Sequence, residues 1–364
     1  MSKNRDNNTI KRVSLVQTCI DSYRTNFLDG LLSLPIELKI FSGENHFQSS
    51  VKSRINYEQR VKLTNIFFLK RKLLVQRGSL AALKKADVLI IELNPRILTN
   101  WILLLSSRLL KKETLVWGHF SGRSPNKTKF SRIRFWMAAL ATKGVVCYTI
   151  EEFKKFRIEF PNKAIFIAPN SLYTAEELDY EFESSESEDF IYCGRLDHDK
   201  NVEWLISEFI DFCKSATFKS SLHVVGDGPM KESLKNTAIQ NSLGSRIIFY
   251  DHISDFETLK NIYSKCLAGI TSGFVGLNAI QVTGFGLPLI FPQKLELNHA
   301  PEAYLLNPLN SYSYILKEGN LRLALIEVTK NKHEWISRRN AIRERTVRLH
   351  SVNLMTEGMF YAIR

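Results

Sequence analysis

Residues 190–201 read FIYCGRLDHDKN, and they decide the fold together with LHVVGDGPMKESL at 222–234, IIFYDH at 247–252 and SGFVGLNAIQVTGFGLPLI at 272–290. Each piece is a short apolar run that stops at Gly or Asp and hands over to a helix pattern. A parallel α/β sheet reads this way, because strands buried on both faces are apolar throughout and each needs a crossover helix. In such sheets ligands lie beyond the carboxyl ends of the strands. Arg195 and Lys200 fall on the loop just after strand 190–193, where an anionic diphosphate would lie.

The rest of the second half continues the alternation. Helix 201–215, strand 221–225, helix 229–240, strand 246–249, helix 255–265, strand 267–271, helix 276–284 and strand 288–291 come in turn, and the stretch from Arg322 is helical and basic. The first half has the same rhythm. Strands are expected at 13–18, 37–41, 88–92, 114–117, 144–149 and 164–168, and helices at 27–32, 97–110 and 127–141, with 57–72 and 78–84 helical or mixed. The acidic, Ser-rich EFESSESEDF at 181–190 has linker composition. The reading is therefore an α/β chain of two Rossmann-like, doubly wound domains facing a central cleft. Residues 1–180 are expected to form the first domain and 188–340 the second, and a C-terminal helix at 341–364 to pack back on the first. No repeat of 20–50 residues is present.

With 364 residues, the chain is long enough for two cores, and 44% hydrophobic with 24% charged residues is the balance of a soluble globular protein. The apolar stretches fall far short of the roughly 20 residues of a membrane span. The N-terminus is polar, without a signal-peptide core. The five cysteines are scattered, without a CxxC pair, which fits a reduced cytoplasm and neither a disulfide framework nor a zinc site. The net charge of +13 is uneven. Residues 1–170 hold 30 Lys and Arg against 12 Asp and Glu, a balance of +18, whereas residues 171–364 hold 20 against 25, a balance of −5. The first half is thus expected to face something anionic: acidic lipids, a phosphorylated acceptor or, last in order, nucleic acid, for which no recognition motif stands out.

The chemical motifs lie on the strand-end loops. Gly194 permits a tight turn, and Arg195 and Lys200, five residues apart, can both reach a diphosphate. Gly226-Asp-Gly228-Pro229 comes one βα interval later, and the Gly-rich run Gly273–Leu277 closes the set. This pattern resembles the retaining glycosyltransferases of family 4, which have the GT-B fold. The family's G-R-L-x-x-x-K is matched by Gly194, Arg195, Leu196 and Lys200, and its G-x-G-P by Gly226, Gly228 and Pro229. In the first half, Tyr23-Arg24 with Phe27, Trp117-Gly118-His119, Tyr148-Thr149 with Glu152, and Ala168-Pro-Asn-Ser resemble a branch of that family that builds bacterial surface polysaccharides.

The resemblance implies a metal-independent enzyme without a cofactor, moving a sugar from a UDP- or GDP-sugar to a lipid-linked, lipopolysaccharide- or capsule-type glycan. His119, Arg195 and Lys200 would be catalytic. Gly194, Gly226, Ile253, Gly273, Val275, Gly276, Leu277, Asn278 and Gln281 would bind the donor. The growing charge of a departing diphosphate needs fixed cations, which Arg195 and Lys200 supply. The family usually carries two glutamates eight positions apart at the donor loop, where this chain has Gly273 and Gln281. Gln281 can still bond a ribose, whereas Gly273 offers only backbone.

Four features carry competing readings. Asp197-His198-Asp199 matches a D-x-D metal pattern but sits inside the cationic loop, and is read as a solvated loop with no metal. His119 is read as a contact to a sugar hydroxyl or the acceptor rather than a structural residue. Arg24 reaches donor phosphates or an anionic acceptor, or pairs with Asp21. The helix Lys127–Arg134, with Phe130, Phe135 and Trp136, rests on anionic lipid headgroups or turns its apolar face to the core. The expected location is cytoplasmic, peripheral on the inner face of the plasma membrane. Two alternatives to the transferase are a non-catalytic GT-B scaffold subunit and a nucleotide-sugar epimerase. The epimerase would need paired carboxylates in the cleft.

Overall fold

The computed structural model describes residues 10–48, 52–120, 127–182, 188–215, 218–293 and 299–364. The chain divides into two compact units: the first takes the residues up to 120, 127–169 and Asn353–Arg364, and the second takes Asn170–Val352. The division thus falls at Pro169, upstream of the acidic 181–190 stretch. The basic tail is split as well, since helix Arg339–His350 belongs to the second unit and most of helix Val352–Ile363 to the first.

The first unit is built on a seven-stranded parallel sheet. Its strands are β1 (Lys11–Gln17), β2 (Ile36–Ser42), β3 (Arg60–Lys62), β6 (Val88–Glu92), β7 (Glu113–Trp117), β8 (Gly144–Cys147) and β9 (Ile165–Ile167), and their order is β3-β2-β1-β6-β7-β8-β9. Between β3 and β6 runs an antiparallel hairpin of β4 (Thr64–Phe68) and β5 (Leu73–Arg77). The helical reading of 57–72 is therefore wrong. Thr64–Phe68 alternates exposed and half-buried positions, the period of a strand, and Leu69, Lys70 and Arg71 adopt positive φ at the turn. Gln76 locks the hairpin in place, its buried amide donating to Gln17 O and Asn65 Oδ1, both at 3.0 Å.

The second unit holds a six-stranded parallel sheet of β10 (Asp189–Cys193), β11 (Leu222–Val225), β12 (Ile247–Tyr250), β13 (Cys266–Ile270), β14 (Leu289–Pro292) and β15 (Ser311–Tyr314), in the order β12-β11-β10-β13-β14-β15. Renumbered within the unit, this is the 3-2-1-4-5-6 order of a doubly wound sheet. Successive β10 residues enter opposite cores. Phe190 and Tyr192 join the cluster of Phe209, Phe212 and Leu325, and Ile191 joins that of Tyr263, Phe285 and Leu289. Burial on both faces explains why the strand is apolar from Phe190 to Cys193.

Candidate active site

In a doubly wound sheet the crevice opens where strand order reverses, here between β10 and β13. The loops leaving those two strands are Gly194–Lys200 and Thr271–Gly276, so the sheet brings together the two motifs that the sequence singles out. Ser272 Oγ donates to the Lys200 carbonyl at 2.9 Å. A Cβ on Gly273 would lie 3.2 Å from Lys200 Cα and O. The missing side chain thus lets the Gly-rich loop press against the cationic one. Gly226 serves the same end, since a Cβ there would sit 1.9 Å from the Gly194 carbonyl oxygen and its φ is +149°. Leu196 N donates to Asp227 O at 2.9 Å, and Tyr192 hydroxyl donates to Arg195 O at 2.9 Å, which pins the turn that carries Arg195.

The cations themselves are held by local partners. Arg195 Nη1 donates to Asp197 Oδ2 at 2.6 Å, and Lys200 Nζ lies 3.7 Å from the centre of the Phe274 ring. Both contacts escaped the sequence reading. His198 and Asp199 are exposed, as a solvated loop requires, but Asp197 is half-buried against Arg195 and orients it. Among the described residues no group of three or more His, Cys, Asp or Glu side chains is placed to hold a metal. Phe274 was legible in principle, since an aromatic next to a side-chain-less Gly273 has to meet whatever the loop packs on.

Helix Leu277–Gly284 begins at Gly276, so its N-terminus points oriented amides toward the same crevice. Two of those amides are covered by side chains. Val275 N donates to His299 Nδ1 at 2.9 Å, and Gly276 N to Asn278 Oδ1 at 2.7 Å. His299 Nδ1 accepts, so Nε2 carries the hydrogen and donates to Pro292 O at 2.9 Å. A phosphate reaching these amides must displace His299 and Asn278. Gln281 donates from Nε2 to Cys193 Sγ at 3.3 Å, and burial pushes that thiol up to about 11. Ile253 is half-buried on the edge of the Tyr263–Phe285 core.

In the first unit, strand order reverses between β1 and β6, and Thr18 ties the two strand ends by donating from N and Oγ1 to Glu92 Oε2 at 2.9 and 2.7 Å. His119 lies just past β7. Its ring lies 4.6 Å from that of Tyr148, and its Nδ1 is 3.6 Å from Glu152 Oε2. The buried Glu152 carboxylate also accepts from Phe120 N at 2.9 Å, so one acidic group at the start of helix Ile150–Glu159 meets both His119 and Phe120. Arg24 does not pair with Asp21, whose carboxylate instead caps Ser22 N. The guanidinium is buried, donates to Tyr148 hydroxyl at 3.2 Å and to Met355 Sδ at 3.4 Å, and faces the rings of Tyr23, Trp117 and Tyr148. On helix Lys127–Leu140, Trp136 is exposed while Phe135 packs on the core; the side chains of Lys127 and Phe130 lie outside the described residues.

Comparison with known proteins agrees with this layout. Residues 175–291 match the family described as glycosyl transferases group 1. A curated relative, the GtfA subunit of a UDP-N-acetylglucosamine–peptide N-acetylglucosaminyltransferase from Streptococcus agalactiae, is 26% identical over 120 residues. That match covers 33% of this chain and 23% of the relative, so the chain spans under a quarter of the relative's length. Among solved structures, the pneumococcal O-GlcNAc transferase GtfA bound to UDP and GlcNAc superposes with a TM-score of 0.67 at 12% identity, covering 97% of this chain and 99% of that one. The lipopolysaccharide outer core galactosyltransferase WaaB superposes with a TM-score of 0.59 at 14% identity, with 97% and 99% covered. The two doubly wound units are those of the GT-B fold.

Proposed function

We propose that the chain is a glycosyltransferase that moves a sugar from a UDP- or GDP-sugar to a lipid-linked, lipopolysaccharide- or capsule-type glycan, with retention of configuration and without a metal. The carrying observation is the junction of the Arg195–Lys200 loop with the Gly-rich loop through the Ser272–Lys200 bond, inside the segment that matches the glycosyl transferases group 1 family. In the reaction the bond from the anomeric carbon to the β-phosphate oxygen breaks, and the acceptor oxygen bonds the same face. The acceptor proton passes to the leaving phosphate. Arg195 and Lys200 exchange Asp197 and the Phe274 ring for that phosphate, and the amides around Val275–Asn278 complete its cradle. Gln281 turns to the ribose. His119, its imidazole braced by Tyr148 and Glu152, offers a hydrogen bond to an acceptor or sugar hydroxyl.

A lipid-linked acceptor suits the first unit's surface. Leu98, Ile102, Leu105 and Leu109 form an exposed apolar row at helical spacing on helix Leu98–Leu109, and Arg108, Lys111 and Lys112 stand at its end. No helix among the described residues is long and apolar enough to cross a membrane. The deciding experiment titrates UDP, GDP and ADP into the purified chain and then assays transfer from the sugar form of whichever binds. Binding of UDP or GDP with transfer supports the proposal. Nucleotide binding without transfer to any glycan favours a scaffold subunit, for which the absence of a carboxylate at Gly273 already speaks. No nucleotide binding at all sinks the donor site.

A further inference from the structure

The first unit contains a small cavity at the carboxyl end of β1 that the donor chemistry does not use. Gln17, Cys19, Asp21, Tyr23, Arg24, Trp117 and Tyr148 supply its polar and aromatic lining, over a floor of Leu15, Phe27 and Leu28, and its volume is about 70 Å³. One water needs roughly 10–15 Å³, so a group the size of a carboxylate or phosphate fits.

The lining holds a buried guanidinium without a carboxylate and two buried donors without partners. Arg24 is only 9% exposed, yet no carboxylate among the described residues pairs with it. Arg60, in the same unit, shows what a satisfied buried guanidinium looks like. It meets Glu44 Oε1 at 2.9 Å and the carbonyls of Ile55 and Gly43 at 3.0 and 3.2 Å. Three aromatic rings and one hydroxyl replace only part of the water that Arg24 gives up. Trp117 is 2% exposed, and its indole Nε1, like Gln17 Nε2, is buried with no hydrogen-bond partner. Buried donors without acceptors are costly, and two of them on residues that line one cavity, beside a guanidinium without a carboxylate, mark the missing group as an acceptor. The carboxylate that shares the lining, that of Asp21, is already engaged, accepting from Ser22 N at 2.8 Å and facing Arg54 Nε at 3.9 Å. Cys19 stays a neutral thiol, since burial pushes it up to about 12.

We infer that this cavity binds a compact oxyanion, the carboxylate or phosphate substituent of a saccharide, held by the Arg24 guanidinium with the Trp117 indole and the Gln17 amide as further donors. The inference rests on the glycosyltransferase reading only for its claim that the anion belongs to the acceptor. An acidic sugar or sugar phosphate would thus be told from a neutral one by a charge-assisted contact that the neutral sugar cannot make.

The test measures binding of glucuronate, glucose 6-phosphate and neutral glucose by calorimetry, with UDP as a separate titrant. Glucuronate or glucose 6-phosphate should bind, and whichever is tighter identifies carboxylate or phosphate as the natural group. Arg24→Gln should weaken that binding by roughly tenfold or more, and Gln17→Leu by less. UDP affinity should stay as in the parent. Since Arg24→Gln also loses its bond to Met355, its melting temperature is measured, and Gln17→Leu serves if the first variant unfolds. Equal affinity for glucose and glucuronate, or anion binding unchanged in a folded variant, overturns the inference. The two readings fail apart. UDP binding without Arg24-dependent anion binding removes only the cavity, and anion binding without UDP removes only the donor site.

Discussion

Ser272 Oγ donates to the carbonyl oxygen of Lys200 at 2.9 Å, joining the loop after β13 to the loop after β10 across the point where strand order reverses. The Gly-rich loop and the cationic loop are therefore one structural unit. Replacing Arg195 or Lys200 with Ala should abolish transfer while the melting temperature stays within about a degree or two. Both side chains are partly exposed, and neither change opens a core cavity. Turnover unchanged in both variants would refute the donor-site assignment.

Gly226→Ala should be costly for the same junction. Its Cβ would approach the Gly194 carbonyl to 1.9 Å at a backbone φ of +149°, so either the β11 turn or the Arg195 loop must shift. A loss of about 2–4 kcal/mol is expected from the clash and the strained backbone together. Urea unfolding measures it, and a variant as stable as the parent that still binds UDP would show that the turn has slack.

The second unit was largely legible in the amino-acid sequence. Strands buried on both faces announce themselves as apolar runs, and the glycines at 226 and 273 mark places where backbone must approach backbone. The hairpin at 64–77 was not legible. Its strand period is confined to five residues on each side, and what anchors it is Gln76, whose bond to Gln17 spans 59 positions. The partners of Arg24 were hidden likewise. Met355 stands 331 positions away along the chain, and no local pattern points to it. Asp197 failed for the opposite reason, because a partner two residues away looks like any charged loop until its burial is known.

His350 offers a stability test in the second unit. It is 1% exposed, with Nδ1 2.8 Å from Asn170 O and Nε2 2.8 Å from Tyr304 hydroxyl. Burial lowers its pKa below the ordinary 6.5, so the folded state binds fewer protons than the unfolded one under acid. Stability should therefore be at its full value above about pH 6.5 and fall as pH drops toward the folded value. His350→Ala should cost about 2–4 kcal/mol at pH 7.5 and flatten that fall. An unchanged acid slope in the variant would assign the pH dependence to other groups.

Transfer should survive EDTA. Asp197 pairs with Arg195 at 2.6 Å, Asp199 is exposed, and among the described residues no group of three or more His, Cys, Asp or Glu side chains is placed to hold a metal. Activity lost in EDTA and restored by Mg²⁺ or Mn²⁺ would make these aspartates metal ligands.

The exposed row Leu98, Ile102, Leu105 and Leu109 should bring the chain to anionic bilayers. Leu103 and Leu104 of the same helix face the core, so the outer row is a second apolar face, exposed on its own unit. The basic balance of +18 over residues 1–170 supplies long-range attraction, and the leucines supply contact. Each Lys or Arg near an acidic surface adds about 1 kcal/mol, within a screening length of about 8 Å at physiological salt. Sedimentation with acidic vesicles should thus capture the protein at low salt and release much of it at high salt. Leu105→Gln with Leu109→Gln should weaken capture at every salt concentration while leaving UDP affinity unchanged. Equal binding to neutral and acidic vesicles would remove the electrostatic part. A double variant that binds vesicles as well as the parent would move the contact off this helix.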